Sequence, residues 1–101
     1  MKLSVNIISD TSGYATEKIV KVSLSQFNVE SITNIYPDVR DIDSLKDILN
    51  FIIETCDNFI IYHSFQDSRM NVYINDFCEL NNITYVDITG YSIRAISKKL
   101  D

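Results

Sequence analysis

Short apolar segments alternate along this chain with segments whose apolar residues recur at helical spacing. The alternation occurs four times and predicts the order β-α-β-α-β-α-β-α. A helix between two such strands forms a right-handed crossover, which makes the two strands parallel. We therefore predict an α/β fold over residues 1–101. It is a single-domain three-layer sandwich with a four-stranded parallel sheet and helices on both faces.

The composition of the strands predicts their order in the sheet. The strands are expected at residues 3–8, 29–36, 59–62 and 83–88. Ser31, Thr33 and Asn34 make the second strand polar, which favours an edge position. The third strand is an unbroken apolar run, which is typical of a central strand covered on both faces. The order 2-1-3-4 satisfies both requirements.

Polar capping residues and apolar spacing predict where the helices lie. The first helix is expected at residues 14–27, and the second begins near Asp43 or Ser44. Asp67 or Ser68 is expected to cap the third helix. The fourth is predicted to begin at Ser92 and to turn three apolar residues towards the core: Ile93, Ile96 and Leu100.

Charge and composition exclude several classes of function. The formal net charge is −5 and the nine basic residues are scattered, which argues against a nucleic-acid partner. The chain has a single histidine, so no metal-ligand spacing exists, and neither a metal nor a cofactor is expected. Cys56 and Cys78 fall at apolar helical positions and are predicted to be buried free thiols. No export signal or membrane span is recognisable, so we expect a cytoplasmic protein without a membrane partner.

The turn between the first strand and the first helix is the first candidate site. It contains three hydroxyls, a carboxylate and a glycine, at Ser9, Asp10, Thr11, Ser12 and Gly13. Free amides and a positive dipole at a helix N-terminus can hold phosphate or another anion. The same residue types also act as ordinary helix caps. The residues alone leave both roles open, and the segment matches neither a Walker A loop nor a dinucleotide fingerprint.

The predicted strand order extends this candidate site across the sheet. In the order 2-1-3-4 the chain reverses its winding between strands one and three, and ligands bind at the carboxyl ends of those strands. The loop after the third strand would bring His63 opposite the Ser9–Gly13 turn, as an acid–base group or anion contact. Tyr62 and Ser64 flank it, and Arg40 and Arg69 follow at the same edge as candidate phosphate clamps.

Motifs along nearly the whole chain resemble one bacterial and plastid family. The run Ile-Ile-Ser-Asp-Thr-Ser-Gly-Tyr-Ala-Thr-Glu resembles a V-S-D-S-T-G-E-T-A-E opening. Residues 36–40 resemble a Y-P-x-V-R segment, and residues 60–62 resemble a V-V-Y strand end. Cys78 begins a segment similar to C-x-x-x-x-I-x-x-V-D-x-x-G. These are motifs of the bifunctional kinase/pyrophosphorylase regulators of pyruvate, phosphate dikinase and phosphoenolpyruvate synthase.

The chain also departs from this family in ways that bear on function. The family's phosphotransfer chemistry belongs to a C-terminal P-loop domain that these residues do not include. Tyr14 replaces the acidic residue after the glycine, Thr11 and Ser12 are swapped, and residues 63–66 replace a proline-containing segment. What the resemblance implies is the family's N-terminal domain, not an enzyme by itself.

Three functions are therefore expected from the sequence. The first is a regulatory or ligand-binding module for a phosphorylated small molecule, a nucleotide, or a partner such as a dikinase or a full-length regulator. The second is a small enzyme that uses Asp10 and His63. The third is an interaction domain that forms a homodimer without a ligand.

Overall fold

The computed structural model describes residues 2–101, and its strands and helices alternate as predicted. The eight elements, in chain order, are β1 Lys2–Ser9, α1 Tyr14–Leu24, β2 Glu30–Tyr36, α2 Ile42–Thr55, β3 Phe59–Ser64, α3 Ser68–Leu80, β4 Tyr85–Asp87 and α4 Ile88–Leu100. None of the helices in this described part of the chain has the length and apolar character that crossing a membrane requires.

The four strands form one parallel sheet in the order β2-β1-β3-β4, which confirms the predicted fold class and topology. The polar strand β2 lies at an edge, and β3 lies between β1 and β4. In the β1–β3 register, Ile8 lies beside His63 and Ser9 beside Ser64. The carboxyl ends of the two central strands therefore meet at the predicted switch point.

Alternation along the strands sends side chains to two separate apolar clusters. The larger cluster joins Ile8 and Ile61 of the sheet to α2 and α3, with Leu49 and Ile74 fully buried. The smaller cluster joins three buried residues, Val5, Ile7 and Val20, where α1 covers the other face. Cys78 is buried as predicted, whereas Cys56 is only half-buried.

Two helices begin or end at residues other than the predicted ones, because local hydrogen bonds determine where a helix starts and stops. Helix α1 ends at Leu24 rather than at residue 27. Helix α2 is capped by Asp41, whose carboxylate accepts from the Ser44 amide at 2.7 Å, and not by Asp43 or Ser44. Asp67 caps α3, as expected.

The prediction for the last helix is wrong in both its start and its burial. The Asp87 carboxylate accepts from the Gly90 amide at 2.8 Å, so α4 begins at Ile88, and Ser92 lies inside the helix. Strand β4 leads into α4 without an intervening loop. The helix therefore does not fold back over the sheet as a helix of a βα unit does. The predicted inward residues Ile93, Ile96 and Leu100 are 52%, 58% and 81% exposed.

Strand β3 is two residues longer than predicted, which changes the position of His63. His63 and Ser64 lie inside the strand, beside Ile8 and Ser9 of β1. The side chain of His63 is fully buried, so the prediction of a loop histidine facing the Ser9–Gly13 turn is wrong. The apolar run at residues 59–62 predicted the strand correctly. The polar residues His63 and Ser64 that follow it did not indicate that the strand continues.

Candidate functional site

The N-terminus of α1 is built around a glycine and has no side-chain cap. Gly13 is the N-cap residue and adopts the left-handed φ of 79°. A β-carbon at this position would lie 3.1 Å from Cγ2 of Ile35, so the turn packs closely on the sheet. The hydroxyl of Ser12 accepts from the Tyr14 amide at 3.3 Å. The expectation that a Ser, Thr or Asp side chain caps this helix is therefore wrong at the N-cap position, which Gly13 occupies.

The hydroxyl groups of the turn mostly bind one another. Ser9 Oγ lies 3.0 Å from Thr11 Oγ1, and it accepts from the Thr11 amide at 3.1 Å. Across the sheet, Ser64 Oγ donates to Ser9 Oγ and accepts from Thr16 Oγ1, each at 3.1 Å. Ser9 and Thr16 are buried. This hydroxyl chain joins β1, β3 and α1 below the turn and holds the loop above it.

A polar crevice of about 510 Å³ opens at the carboxyl edge of the sheet. Three of the predicted site residues, Asp10, Thr11 and Arg40, lie together in its wall. The amides of Asp38 and Val39 donate to the carbonyls of Thr11 and Ser9, which fixes the loop after β2 against the loop after β1. The remaining wall comes from the β3–α3 connection, at Gln66, Asp67 and Met70.

The charged groups of the crevice differ in how many hydrogen bonds and ion pairs they form. One carboxylate oxygen of Asp10 accepts from the Gln66 amide at 2.8 Å. The other is buried and accepts no hydrogen bond from residues 2–101. Arg40 extends into solvent, and its side chain forms one long polar contact within residues 2–101, at 3.4 Å from Asp38. The crevice thus presents one exposed and largely free guanidinium group, and its wall holds a buried carboxylate oxygen that has no partner among residues 2–101. These two groups suit a ligand with an anionic group and a donor.

The other predicted residues lie away from this crevice. Tyr62 faces the α1 side of the sheet and lines a separate apolar cavity. Arg69 pairs with Asp67 at 3.0 Å and lines a neighbouring hollow beside α3. The hydrogen bonds from Arg69 lower the pKa of Asp67. Sequence reasoning did not name Gln66, Asp67 or Met70 as site residues, and it expected Asp67 only as a helix cap. The position of Gln66 and Asp67 just after a strand end at the switch point could have indicated those two.

His63 belongs to a buried polar network on the α3 side of the sheet. Its Nε2 donates to Oδ1 of Asn75 at 2.7 Å, and Nδ2 of Asn75 donates to Asp87 at 2.9 Å. Nδ1 of His63 is buried 3.9 Å from Asp87 and has no hydrogen-bond partner among residues 2–101. Arg94 approaches the same carboxylate at 3.5 Å. The network connects β3 and α3 to the start of α4 and does not reach the crevice.

Acidification should destabilise this protein through His63. Burial lowers the pKa of His63 below its ordinary value of 6.5, although Asn75 and Asp87 oppose the shift. As the pH falls below about 6.5, His63 binds a proton in the unfolded chain but stays neutral in the folded protein. The free energy of unfolding therefore decreases. Denaturant unfolding between about pH 7.5 and about pH 5.5 measures this loss, above the range in which carboxylates titrate.

The single histidine makes the origin of this pH dependence easy to verify. His63→Gln removes the titrating group, so its free energy of unfolding should stay level over the same pH range. A wild-type protein whose stability is flat down to about pH 5.5 would contradict the buried neutral histidine.

Comparison with known proteins places the chain among relatives of one family. The kinase/pyrophosphorylase family model matches residues 5–101. A pyruvate, phosphate dikinase regulatory protein of Wolbachia pipientis wMel is 31% identical over 103 residues, covering 99% of this chain and 37% of the relative. Proteins of the same name from Bacillus velezensis and Pediococcus pentosaceus are 33% and 24% identical, over 85% and 96% of this chain.

The match extends over nearly all of this chain but only part of each relative. The chain spans 32% to 37% of the length of these three proteins. The matched segment of residues 5–101 contains every strand end that forms the crevice. Because the family model matches almost the entire chain, this protein belongs to the kinase/pyrophosphorylase family.

Proposed function

We propose that this chain is a ligand-binding, regulatory module of the kinase/pyrophosphorylase family that takes a phosphorylated small molecule or nucleotide in the crevice between Asp10 and Arg40. The observation that carries the proposal is the pairing of unsatisfied groups of opposite charge in one crevice. Arg40 supplies an exposed guanidinium group for a phosphate. The buried oxygen of Asp10, which has no partner among residues 2–101, is the acceptor that a ligand hydroxyl or amine would satisfy.

The surroundings of the crevice support binding of a small ligand. The Thr11 hydroxyl lies in the wall, and the uncapped N-terminus of α1 follows two residues later with its dipole positive. The volume of about 510 Å³ falls within the range of small-molecule pockets. Asp10 and Gln66 tie the two central loops together, so the crevice is formed without a ligand.

A second candidate is recognition of a partner protein at the same edge. Arg40 lies in the loop after β2 and Arg69 in the first turn of α3, and their side chains are 72% and 85% exposed. The relatives are named for the regulation of pyruvate, phosphate dikinase, so a dikinase or a full-length regulator is the partner to test. The alternative of a small enzyme that uses Asp10 and His63 loses its basis, because His63 lies in the buried network and not in the crevice.

Replacing Arg40 should weaken ligand binding without affecting the fold. ADP, phosphate and pyrophosphate are titrated into isotope-labelled protein, and the amide signals of Thr11, Gly13 and Gln66 are followed. Arg40→Gln removes a charge-assisted hydrogen bond, so we expect the dissociation constant to rise roughly 10- to 100-fold.

Lys21→Gln is the matched control for this titration. Lys21 is an exposed cation in the last turn of α1, far from the crevice, and its loss should leave the dissociation constant unchanged. No shift of these amides with any of the three ligands would contradict small-molecule binding. Binding that Lys21→Gln weakens as much as Arg40→Gln would contradict the assignment to the crevice.

A further inference from the structure

One peptide group lies between the crevice and the start of α4. The amide of Gln66 donates to a carboxylate oxygen of Asp10 at 2.8 Å. The carbonyl of the same peptide group, that of Phe65, accepts from the Thr89 hydroxyl at 2.8 Å and from Nδ2 of Asn71 at 2.9 Å. We call this group the Phe65–Gln66 peptide. Its amide bonds to the wall of the crevice, and its carbonyl bonds to α3 and to the first turn of α4.

The hydrogen bonds at the two ends of this peptide support each other. Rotation of the peptide plane would break the bond to Asp10 together with the bonds to the carbonyl, so both ends fix the same plane. Donation to a carboxylate also polarises an amide and makes its carbonyl a better acceptor. A change at Asp10 therefore alters the acceptor that Thr89 uses.

The hydrogen bonding of Asp10 is incomplete within residues 2–101. One of its oxygens accepts from Gln66, whereas the other is buried and accepts no hydrogen bond from this part of the chain. A buried unpaired oxygen costs free energy, which favours rotation of the carboxylate towards water and away from Gln66. A ligand donor on this oxygen removes that cost, so binding in the crevice should strengthen the hydrogen bond between Asp10 and Gln66.

Helix α4 is the element that can respond to this change. Gly90 is its last buried residue, and residues 91–100 are all exposed. A helix of this length without a packed face is marginal in water, and formation of its first turn is the costly step. Asp87 and Thr89 hold that turn through the Gly90 amide and the Phe65 carbonyl. The balance between helix and coil in α4 therefore depends on these contacts of its first turn.

We propose that the Phe65–Gln66 peptide couples the crevice to α4, so that a ligand bound at Asp10 increases the helix population of α4. This inference rests on the proposed ligand site. By thermodynamic linkage, the ordered helix raises the affinity of the crevice for its ligand by the same factor. The exposed part of α4 carries three cations, Arg94, Lys98 and Lys99. The ligand thus controls how far an exposed basic surface is presented in helical order.

The coupling is measured first without a ligand, from the Cα chemical shifts of residues 92–98, which give the ratio of helix to coil. Asp10→Ala removes the acceptor of the Gln66 amide, so this ratio should fall roughly 2- to 10-fold, the effect of one hydrogen bond. Thr89→Val removes the hydroxyl and keeps the shape of the side chain, and it should lower the ratio by a similar factor. In the double variant the two losses should not add, because both act through one peptide.

Thr55→Val is the matched control. The Thr55 hydroxyl also donates to a backbone carbonyl, that of Phe51 at 2.7 Å, but it does so in α2. Its loss should leave the α4 ratio unchanged. Asp10→Asn keeps an oxygen that can accept from Gln66, so its ratio should stay near that of the wild type. The amide signals of the central strands verify that each variant is folded. An unchanged ratio in Asp10→Ala, or additive losses in the double variant, would overturn the coupling.

The ligand then tests the direction of the coupling. Saturation with ADP, phosphate or pyrophosphate should raise the α4 ratio of the wild type roughly 2- to 10-fold. In Thr89→Val the ligand should leave the ratio unchanged, and the dissociation constant should rise by the same factor. A ligand that shifts the crevice amides but not the α4 signals contradicts the coupling and leaves the proposed ligand site intact. If none of the three shifts the crevice amides, the proposed function is overturned, and the ligand-free variants alone support or overturn the coupling.

Discussion

Replacing Phe65 with alanine is expected to lower the free energy of unfolding by about 3–5 kcal/mol. The ring of Phe65 is fully buried in the larger apolar cluster, and its removal leaves a cavity that the rigid sheet cannot fill. The carbonyl of Phe65 also accepts from Asn71 at 2.9 Å and from Thr89 at 2.8 Å. Urea unfolding at neutral pH measures the loss.

The same substitution should loosen the wall of the crevice. Gln66 follows Phe65 directly, and its amide donates to Asp10. We expect faster hydrogen exchange at the Gln66 amide in Phe65→Ala than in the wild type. Phe51→Ala is the matched control, because Phe51 is 54% exposed, and its substitution should cost less than about 1 kcal/mol. Equal losses in the two variants would contradict the assignment of Phe65 to the core.

Replacing Asp87 with alanine is expected to cost about 3 kcal/mol of stability. The substitution removes the cap of α4, worth about 1 kcal/mol, and leaves the partly buried amide of Asn75 without its acceptor, which costs about 2 kcal/mol more. Burial raises the pKa of Asp87, but hydrogen bonds from Asn75 and Gly90 outweigh it and keep the carboxyl ionised near neutral pH. Thermal and urea unfolding measure the loss.

Asp41→Ala provides the control for the capping contribution. Asp41 caps α2 in the same way, but its carboxylate is exposed and has no buried partner. Its replacement should cost about 1 kcal/mol. If Asp87→Ala costs no more than Asp41→Ala, the buried network contributes nothing beyond an ordinary cap.

The fold follows from local patterns that the chain repeats. Helical spacing at Leu45, Leu49 and Ile52 and the apolar run at 59–62 fix the element types, and strand–helix alternation makes the sheet parallel. The polar strand β2 and the apolar strand β3 then determine the order 2-1-3-4. Asp10, Thr11 and Arg40 could be placed in one crevice from this order, because each follows the carboxyl end of a strand.

The burial of individual side chains and their hydrogen-bond partners depend on contacts between residues that are distant in the chain. Only the tertiary structure determines these contacts. The local sequence predicts that His63 lies in a loop. Pairing with Ile8 instead extends β3 through His63 and buries the His63 side chain beside Asn75. Ile93, Ile96 and Leu100 have the spacing of a buried stripe, yet Asp87 starts α4 directly at the strand end and turns them away from the sheet. Periodicity states which side of a helix is apolar, and the path of the chain decides what that side meets.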